Sequence, residues 1–114
     1  FMASINFASI RRRMQECKGD LVIVAVNNFY AAQFIDAMKK HNLSIPRDYQ
    51  LLAFDDNPLY RSYNLTSMAV PMEKIGKLFG ILICDKSWLQ DFRGKVSIRI
   101  NSELVIRESF KPGN

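Results

Sequence analysis

Apolar and polar residues follow two different periods along this chain, and these periods predict helices and strands in alternation. At 7–18 the apolar residues recur three and four positions apart, so they share one face of an amphipathic helix. The run at 21–26 is apolar almost throughout and predicts a buried strand. A second helical stripe at 29–40 and a second apolar run at 50–54 follow. This order predicts a strand–helix–strand unit with parallel strands and a right-handed crossover.

The second half of the chain contains one predicted helix with loops and short strands around it. The helix begins at Pro71, because proline is tolerated in a first helical turn, and it ends near residue 86. Strict alternation of apolar and polar residues at 96–100 predicts a half-buried strand. The remaining segments are two irregular stretches, 58–64 and 86–95, a short and mildly apolar segment at 65–70, and a short strand at 104–106.

Polar side chains follow both strands of the predicted parallel unit. The first strand runs into Asn27 and Asn28, and the second into Asp55 and Asp56. Ligands of open parallel sheets bind where the carboxyl ends of the strands open into loops, so we expect Asn27 and Asp55 to face one crevice. An amide offers a donor beside an acceptor, and an ionised carboxylate accepts two charge-assisted hydrogen bonds. The pair therefore suits the adjacent hydroxyl groups of a sugar.

Simpler roles stay open for the same side chains. Asn27 can cap the helix that follows it, and Asp55 can stabilise its own turn. We expect Asp56 to be an acceptor that stabilises the loop rather than a ligand contact. The two aspartates could also hold Mg²⁺ for phosphoryl transfer, but the further ligands and the lysine that this chemistry needs have no convincing place in the sequence. We therefore predict no metal site and no cofactor.

Composition limits the class of protein more than its function. The 114 residues suffice for one compact core, and 48% hydrophobic with 24% charged residues is typical of soluble globular proteins. The net charge is +5, but the basic residues are scattered apart from the triplet 11–13, for which a solvated helix face is the simpler interpretation. Cys17 and Cys84 form no CxxC or Cys/His motif, which indicates reduced thiols in a cytoplasmic protein. His41 lies at a helix end and is not expected to be catalytic.

An ordered series of short motifs resembles one known family. The motifs are VAVNN with Ala31 at 24–31, IPRD at 45–48, LLAFDD at 51–56, LTS at 65–67 and ELVIRES at 103–109. They are similar to successive signatures of the effector-binding domain of bacterial LacI/GalR-type transcription repressors, and their spacing agrees with that family. No single motif is specific, so the resemblance rests on five motifs in order over almost the whole chain.

The resemblance implies an α/β fold of the periplasmic-binding-protein-like I type, a Rossmann-like parallel sheet flanked by helices. Two lobes of such a domain close on a small molecule, usually a sugar or a nucleoside. Residues 1–114 would form only part of this domain, mainly its C-terminal lobe, with 65–86 returning to the other lobe in the complete protein. The chain departs from the family pattern at Asn28, where aspartate is usual, and at Ala53, where glycine is usual.

The resemblance also implies roles for individual residues. Asn27 and Asp55 occupy positions at which relatives contact the effector. Met72 matches a position that packs against the ligand from the returning helix, although a place in that helix's own apolar stripe is an equal alternative. Dimerisation in the family uses the second helix and the loop after the FDD motif, so the interface candidates are Gln33, Asp36, Tyr60 and Arg61.

From the residues and the resemblance together we predict the small-molecule sensing domain of a LacI/GalR-type regulator. It would be cytoplasmic and homodimeric, would have no enzymatic activity and no membrane contact, and would reach DNA only through a helix-turn-helix head that is absent from this chain. The alternative is a periplasmic sugar-binding protein of an uptake system, which shares the fold. An upstream helix-turn-helix would favour the regulator, and an upstream signal peptide the transport protein.

Overall fold

The computed structural model describes residues 6–17, 20–85, 87–90 and 96–110. The chain divides into two compact units, one formed by Phe1–Ala69 with Leu104–Asn114 and the other by Val70–Glu103. The helices of the described residues are α1 (Phe7–Glu16), α2 (Asn28–Lys39), α3 (Met72–Cys84) and the single turn α4 (Ser87–Gln90), with a 3₁₀ helix at Pro58–Tyr63. The strands are β1 (Val22–Val24), β2 (Gln50–Asp55), β3 (Thr66–Ala69) and β4 (Glu103–Val105).

The four strands form one sheet in the order β1-β2-β3-β4. β1 is parallel to β2, with Val22 opposite Gln50 and Val24 opposite Leu52. β2 is parallel to β3 over four residue pairs, from Leu52 with Thr66 to Asp55 with Ala69. The predicted strand–helix–strand unit is therefore confirmed, and the fold is mixed α/β.

Helix α2 and the odd-numbered residues of β2 form the centre of the core. The fully buried residues include Met38 of α2 and Leu51 and Ala53 of β2. The complete cluster is Ala31, Ile35, Met38, Tyr49, Leu51, Ala53 and Leu65, and the apolar face of α1 packs against it through Phe7, Ile10 and Met14. Side chains alternate between the two faces of a strand, so the odd-numbered residues of β2 lie on one face of the sheet. Both α1 and α2 pack on that face.

The even-numbered residues of β1 point to the other face of the sheet. Val22, Val24 and Val26 are 40%, 61% and 69% exposed, and Phe54 of β2 is 37% exposed. Parallel sheets normally carry helices on both faces, because their strands bury side chains on both sides. Within the unit formed by Phe1–Ala69 with Leu104–Asn114, the described residues leave this face apolar and exposed.

The IPRD motif fixes the connection from α2 to β2. Asp48 accepts a hydrogen bond from the backbone N–H of Ser44 at 2.8 Å and forms an ion pair with Arg47 at 2.7 Å. Arg47 also donates to the carbonyl of Asn42, a residue with a left-handed φ of 59° that ends the helical turn. These hydrogen bonds set the start of β2, and thereby the position of the polar residues at its end.

Most predicted elements before residue 90 are confirmed, with ends that differ by one or two residues. The predicted strand at 96–100 is wrong, because this segment has no secondary structure and Val96 and Ile98 are 43% and 50% exposed. Alternating side chains fit a strand, but only a neighbouring strand can pair its N–H and C=O groups. The irregular stretch at 58–64 is mostly 3₁₀ helix, and the loop at 86–95 contains α4, with 86 and 91–95 outside the described residues.

Candidate functional site

Asn27 and Asp55 lie at the same level of the sheet, at the carboxyl ends of neighbouring strands. Val24 is opposite Leu52, and each of the two polar residues comes three positions later in its strand's direction. The ladder continues past the assigned end of β1, because the N–H of Ala25 donates to the carbonyl of Leu52 at 2.8 Å. The register thus places both residues at the carboxyl ends of neighbouring parallel strands, and their binding of one ligand stays a prediction.

Asn27 caps α2, so the simpler role that the sequence left open is realised. Its Oδ1 accepts a hydrogen bond from the N–H of Tyr30 at 3.0 Å, and its backbone is extended. The cap occupies only the oxygen of the amide. Within the described parts of the chain Nδ2 has no hydrogen-bond partner. Its two N–H groups can therefore donate hydrogen bonds to ligand oxygens.

Asp55 and Asp56 differ in what their carboxylates bind. The exposed Asp55 carboxylate has neither a hydrogen bond nor an ion pair among the residues described, so it does not form the alternative stabilised turn. Asp56 accepts from Arg107 through both oxygens, at 2.5 and 3.1 Å, and its N–H donates to Ser67 Oγ at 3.1 Å. Asp56 is the loop-stabilising acceptor that we expected, and Asp55 keeps all its acceptor sites.

Asn28, at which the chain departs from the family pattern, connects the two strand ends. The residue is 3% exposed, and its Oδ1 accepts a hydrogen bond from the N–H of Asn57 at 2.9 Å. This contact joins the turn after β1 to the turn after β2. A neutral amide suffices for it, because only an acceptor oxygen is needed.

The ELVIRES motif anchors the C-terminal segment to the middle of the sheet. Arg107 donates to Asp56 and, at 2.6 Å, to the carbonyl of Leu65, and the hydrogen bond to Asp56 raises the pKa of Arg107 above its ordinary value. Ser109 Oγ donates to the carbonyl of Leu51 at 2.6 Å and accepts from the N–H of Thr66 at 2.7 Å. Sequence reasoning used this motif only as a family signature. The signal that could have predicted these hydrogen bonds was the presence of Arg107 and Ser109 directly after the apolar residues 104–106.

Met72 is the first residue of α3 and belongs to the second compact unit, whereas Asn27 and Asp55 belong to the first. Its side chain is 67% exposed, and α3 has no buried residue. The alternative role in a helix core is therefore not seen in the structure, and the ligand contact stays a prediction.

The interface candidates lie on the exposed side of α2 and on the 3₁₀ helix. Asp36 accepts from the hydroxyl of Tyr63 at 2.7 Å, and this hydrogen bond raises the pKa of Tyr63. Tyr60 lies 6.3 Å from Phe29 between ring centroids. Gln33 and Arg61 are exposed. The exposed Phe29, Tyr30 and Leu59 belong to the same surface. We call it the aromatic surface and define it as Phe29, Tyr30, Gln33, Asp36, Leu59, Tyr60, Arg61 and Tyr63.

An open cavity of about 430 Å³ lies beside the aromatic surface, away from the strand ends. It is lined by Ile35, Asp36, Lys39, Leu43, Ser44, Ile45, Ser62 and Tyr63. Two of its polar groups, the Asp36 carboxylate and the Tyr63 hydroxyl, already bind each other. We therefore assign the candidate site to the strand ends, where the polar groups are free to bind a ligand.

The described residues contain neither a metal-binding cluster nor a membrane-spanning helix. No group of three or more histidine, cysteine, aspartate or glutamate side chains is placed to hold a metal ion there. None of the helices within the described ranges has the length and apolar character needed to cross a membrane. His41 packs against the ring of Phe7 at 3.9 Å between ring centroids.

The fold defines the class: a mixed α/β domain whose four-stranded, mostly parallel sheet is flanked by helices. Comparison with family models identifies the family: the model of the periplasmic binding protein-like domain matches residues 6–110. The chain belongs to the periplasmic binding protein-like domain family, which indicates a ligand-binding domain. Neither a curated protein nor a solved structure matches the chain.

Proposed function

We propose that the chain is the small-molecule sensing domain of a LacI/GalR-type transcription regulator, with a sugar or a nucleoside as its effector. The observation that carries the proposal is the level placement of Asn27 and Asp55 on neighbouring parallel strands, with the Asp55 carboxylate unbound by any of the described residues. Membership of the ligand-binding family supports it, as does the ordered series of motifs.

Each group at the strand ends has a definite role in the proposed complex. The Asp55 carboxylate accepts hydrogen bonds from two adjacent hydroxyl groups of the ligand. The Nδ2 group of Asn27 donates a hydrogen bond to a ligand oxygen. Met72 supplies an apolar contact from the segment 65–86, which returns to the other lobe in the complete protein. Ligand binding then favours the closed arrangement of the lobes, because the closed state makes contacts that the open state lacks.

The aromatic surface supports the proposal that the regulator is a homodimer. Phe29 and Tyr30 are 45% and 48% exposed, and Leu59 is 83% exposed. Contiguous exposed apolar side chains mark interaction sites in soluble proteins. In the proposed dimer Gln33, Asp36, Tyr60 and Arg61 meet their counterparts, in the cytoplasm, and the helix-turn-helix heads read DNA as a pair.

Calorimetric titration of the complete gene product with pentoses, hexoses and nucleosides tests the ligand site. We expect Asp55→Asn to weaken binding of the preferred ligand at least ~10-fold, because hydrogen bonds to a charged acceptor contribute about 1.5–3 kcal/mol. The thermal unfolding midpoint should stay unchanged, since the Asp55 side chain has neither a hydrogen bond nor an ion pair with the described residues. Asp20→Asn, at another exposed aspartate, is the matched control.

Unchanged affinity in Asp55→Asn, with binding elsewhere in the protein, would contradict the proposed site. The transport alternative is separated by DNA: a gel-shift assay of the complete gene product detects operator binding for a regulator and none for an uptake protein.

A further inference from the structure

The turn after β2 has a backbone conformation that its own residues do not favour. Asp55 and Asp56 are consecutive non-glycine residues with positive φ, at 87° and 52°. The left-handed region brings Cβ close to the following carbonyl oxygen, so L residues occupy it only where the surrounding structure holds them. The direction of the Asp55 side chain thus depends on whatever holds this turn.

Hydrogen bonds hold the turn at Asp56 and Asn57, and none of them involves the Asp55 carboxylate. The N–H of Asn57 donates to Asn28 Oδ1 at 2.9 Å, and the N–H of Asp56 donates to Ser67 Oγ at 3.1 Å. The Asp56 carboxylate accepts from two nitrogens of Arg107. The neighbours of Asp55 are fixed, and its own carboxylate stays available.

Arg107 makes the strongest of these contacts, because it is charged and largely buried. The side chains of Arg107 and Asp56 are 23% and 20% exposed. The same guanidinium donates to the carbonyl of Leu65, and the backbone N–H of Arg107 donates to Thr66 Oγ1 at 2.7 Å. The planar guanidinium can serve both carboxylate oxygens and a carbonyl at once, whereas the ammonium of a lysine is a single point charge.

We propose that Arg107 is a positioning residue for the strand-end site: through Asp56 it holds the turn so that the Asp55 carboxylate points at the ligand. The inference rests on the proposed function for the ligand and on the described geometry for the turn. The guanidinium of Arg107 donates three hydrogen bonds to protein groups, two to Asp56 and one to the carbonyl of Leu65, so in this proposal Arg107 acts through Asp56. Ligand affinity would therefore depend on a residue 52 positions after Asp55 in the chain.

The experiment compares Arg107→Met, Arg107→Lys and Asp56→Asn with the wild-type complete gene product. Arg12→Met is the control, because Arg12 is an exposed arginine whose ion pair with Glu16 at 3.5 Å lies on α1. The probes are D-ribose, D-galactose and adenosine, titrated by calorimetry. Backbone amide hydrogen exchange at Asp56 and Asn57, measured by NMR, reports on the turn without any ligand.

We expect Arg107→Met to weaken binding of the probe that wild type prefers ~10-fold or more and to speed exchange at both amides. Arg107→Lys should restore part of the affinity. The effect of Arg107→Met should shrink when Asp56→Asn is already present, because the two side chains act as one unit. A purely global loss of stability would instead give additive effects, with faster exchange throughout the sheet.

Two results separate the inference from the proposed function. If wild type binds none of the three probes, the proposed ligand class fails, and amide exchange alone decides whether Arg107 holds the turn. If wild type binds a probe and Arg107→Met binds it equally well with unchanged exchange at Asp56 and Asn57, the positioning role is overturned. Should Arg107→Met not fold, Arg107→Lys and Asp56→Asn provide the same comparison.

Discussion

Asn27 and Asn28 are adjacent and chemically identical, yet their side chains make different contacts. Asn27 caps α2 and keeps its Nδ2 free, whereas Asn28 is buried and accepts from Asn57. Asp55 and Asp56 divide in the same way between an open carboxylate and one bound to Arg107. At the scale of the residue, Asn28 and Asp56 bind other parts of the fold, whereas Asn27 combines a capping oxygen with an unbound amide nitrogen and Asp55 has an unbound carboxylate among the described residues.

Tyr49 gives a test of burial at the same scale. The residue is 0% exposed, and its hydroxyl has no hydrogen-bond partner in the part of the chain that is described. Burial raises the pKa of Tyr49 to about 12, above the ordinary value of 10.0. The folded state binds the hydroxyl proton of Tyr49 more tightly than the unfolded state does, so deprotonation of Tyr49 lowers the free energy of unfolding. The stability that comes from the protonated hydroxyl is fully present below pH ~10 and is lost as pH rises toward 12.

We therefore expect Tyr49→Phe to remove part of the alkaline loss of stability between pH ~10 and 12, by an amount on the order of 2 kcal/mol. At pH 7 the substitution should be neutral or slightly stabilising, since the buried hydroxyl is unpaired. Urea denaturation of both proteins at a series of pH values measures the difference. Equal alkaline destabilisation of wild type and Tyr49→Phe would rule out this role for Tyr49.

At the scale of the element, side-chain pattern alone did not decide which segments become strands. The six-residue apolar run at 21–26 contributes only Val22–Val24 to the sheet as a strand, and 96–100 contributes none. β2 pairs on both sides, and it is the longest strand among those described. Helices were more predictable than strands, because their backbone hydrogen bonds are local.

Helix α2 allows the two roles of Asn27 to be separated. Asn27→Ala removes the cap and should destabilise the domain by about 1 kcal/mol, whereas Asn27→Ser keeps an acceptor oxygen for the N–H of Tyr30. Asn27→Ser should therefore preserve stability and still weaken ligand binding, since a serine lacks the amide donor pair. Chemical denaturation and calorimetric titration measure the two effects. Full ligand affinity in Asn27→Ser would restrict Asn27 to capping.

At the scale of the whole molecule, the chain consists of two compact units, and it belongs to a ligand-binding family. The apolar surface that the described residues leave exposed is the main feature at this scale. It occurs at the aromatic surface and on the face of the sheet that carries Val22, Val24 and Val26, where Val24 is 61% exposed. Either surface would favour association with another protein surface.

We expect self-association to use the aromatic surface. Tyr60→Ala and Asp36→Arg should each weaken the dimer, the first by removing buried apolar area and the second by reversing a charge at the contact. Sedimentation equilibrium over a range of concentrations measures the change. Val24→Lys is the comparison on β1, and it should leave the dimer intact. Dissociation by Val24→Lys but not by Tyr60→Ala would place the interface on the exposed face of the sheet that carries Val24.

The sequence by itself determined the order of elements, the parallel pairing and the presence of polar side chains after two strands. These features follow from local periodicity and from the handedness of crossovers, which act over short distances along the chain. Only the tertiary structure decided which polar group stays free. Arg107 reaches Asp56 and Ser109 reaches Leu51 over separations of 51 and 58 residues in sequence. Contacts at that separation depend on the assembled sheet, so no local pattern could assign them.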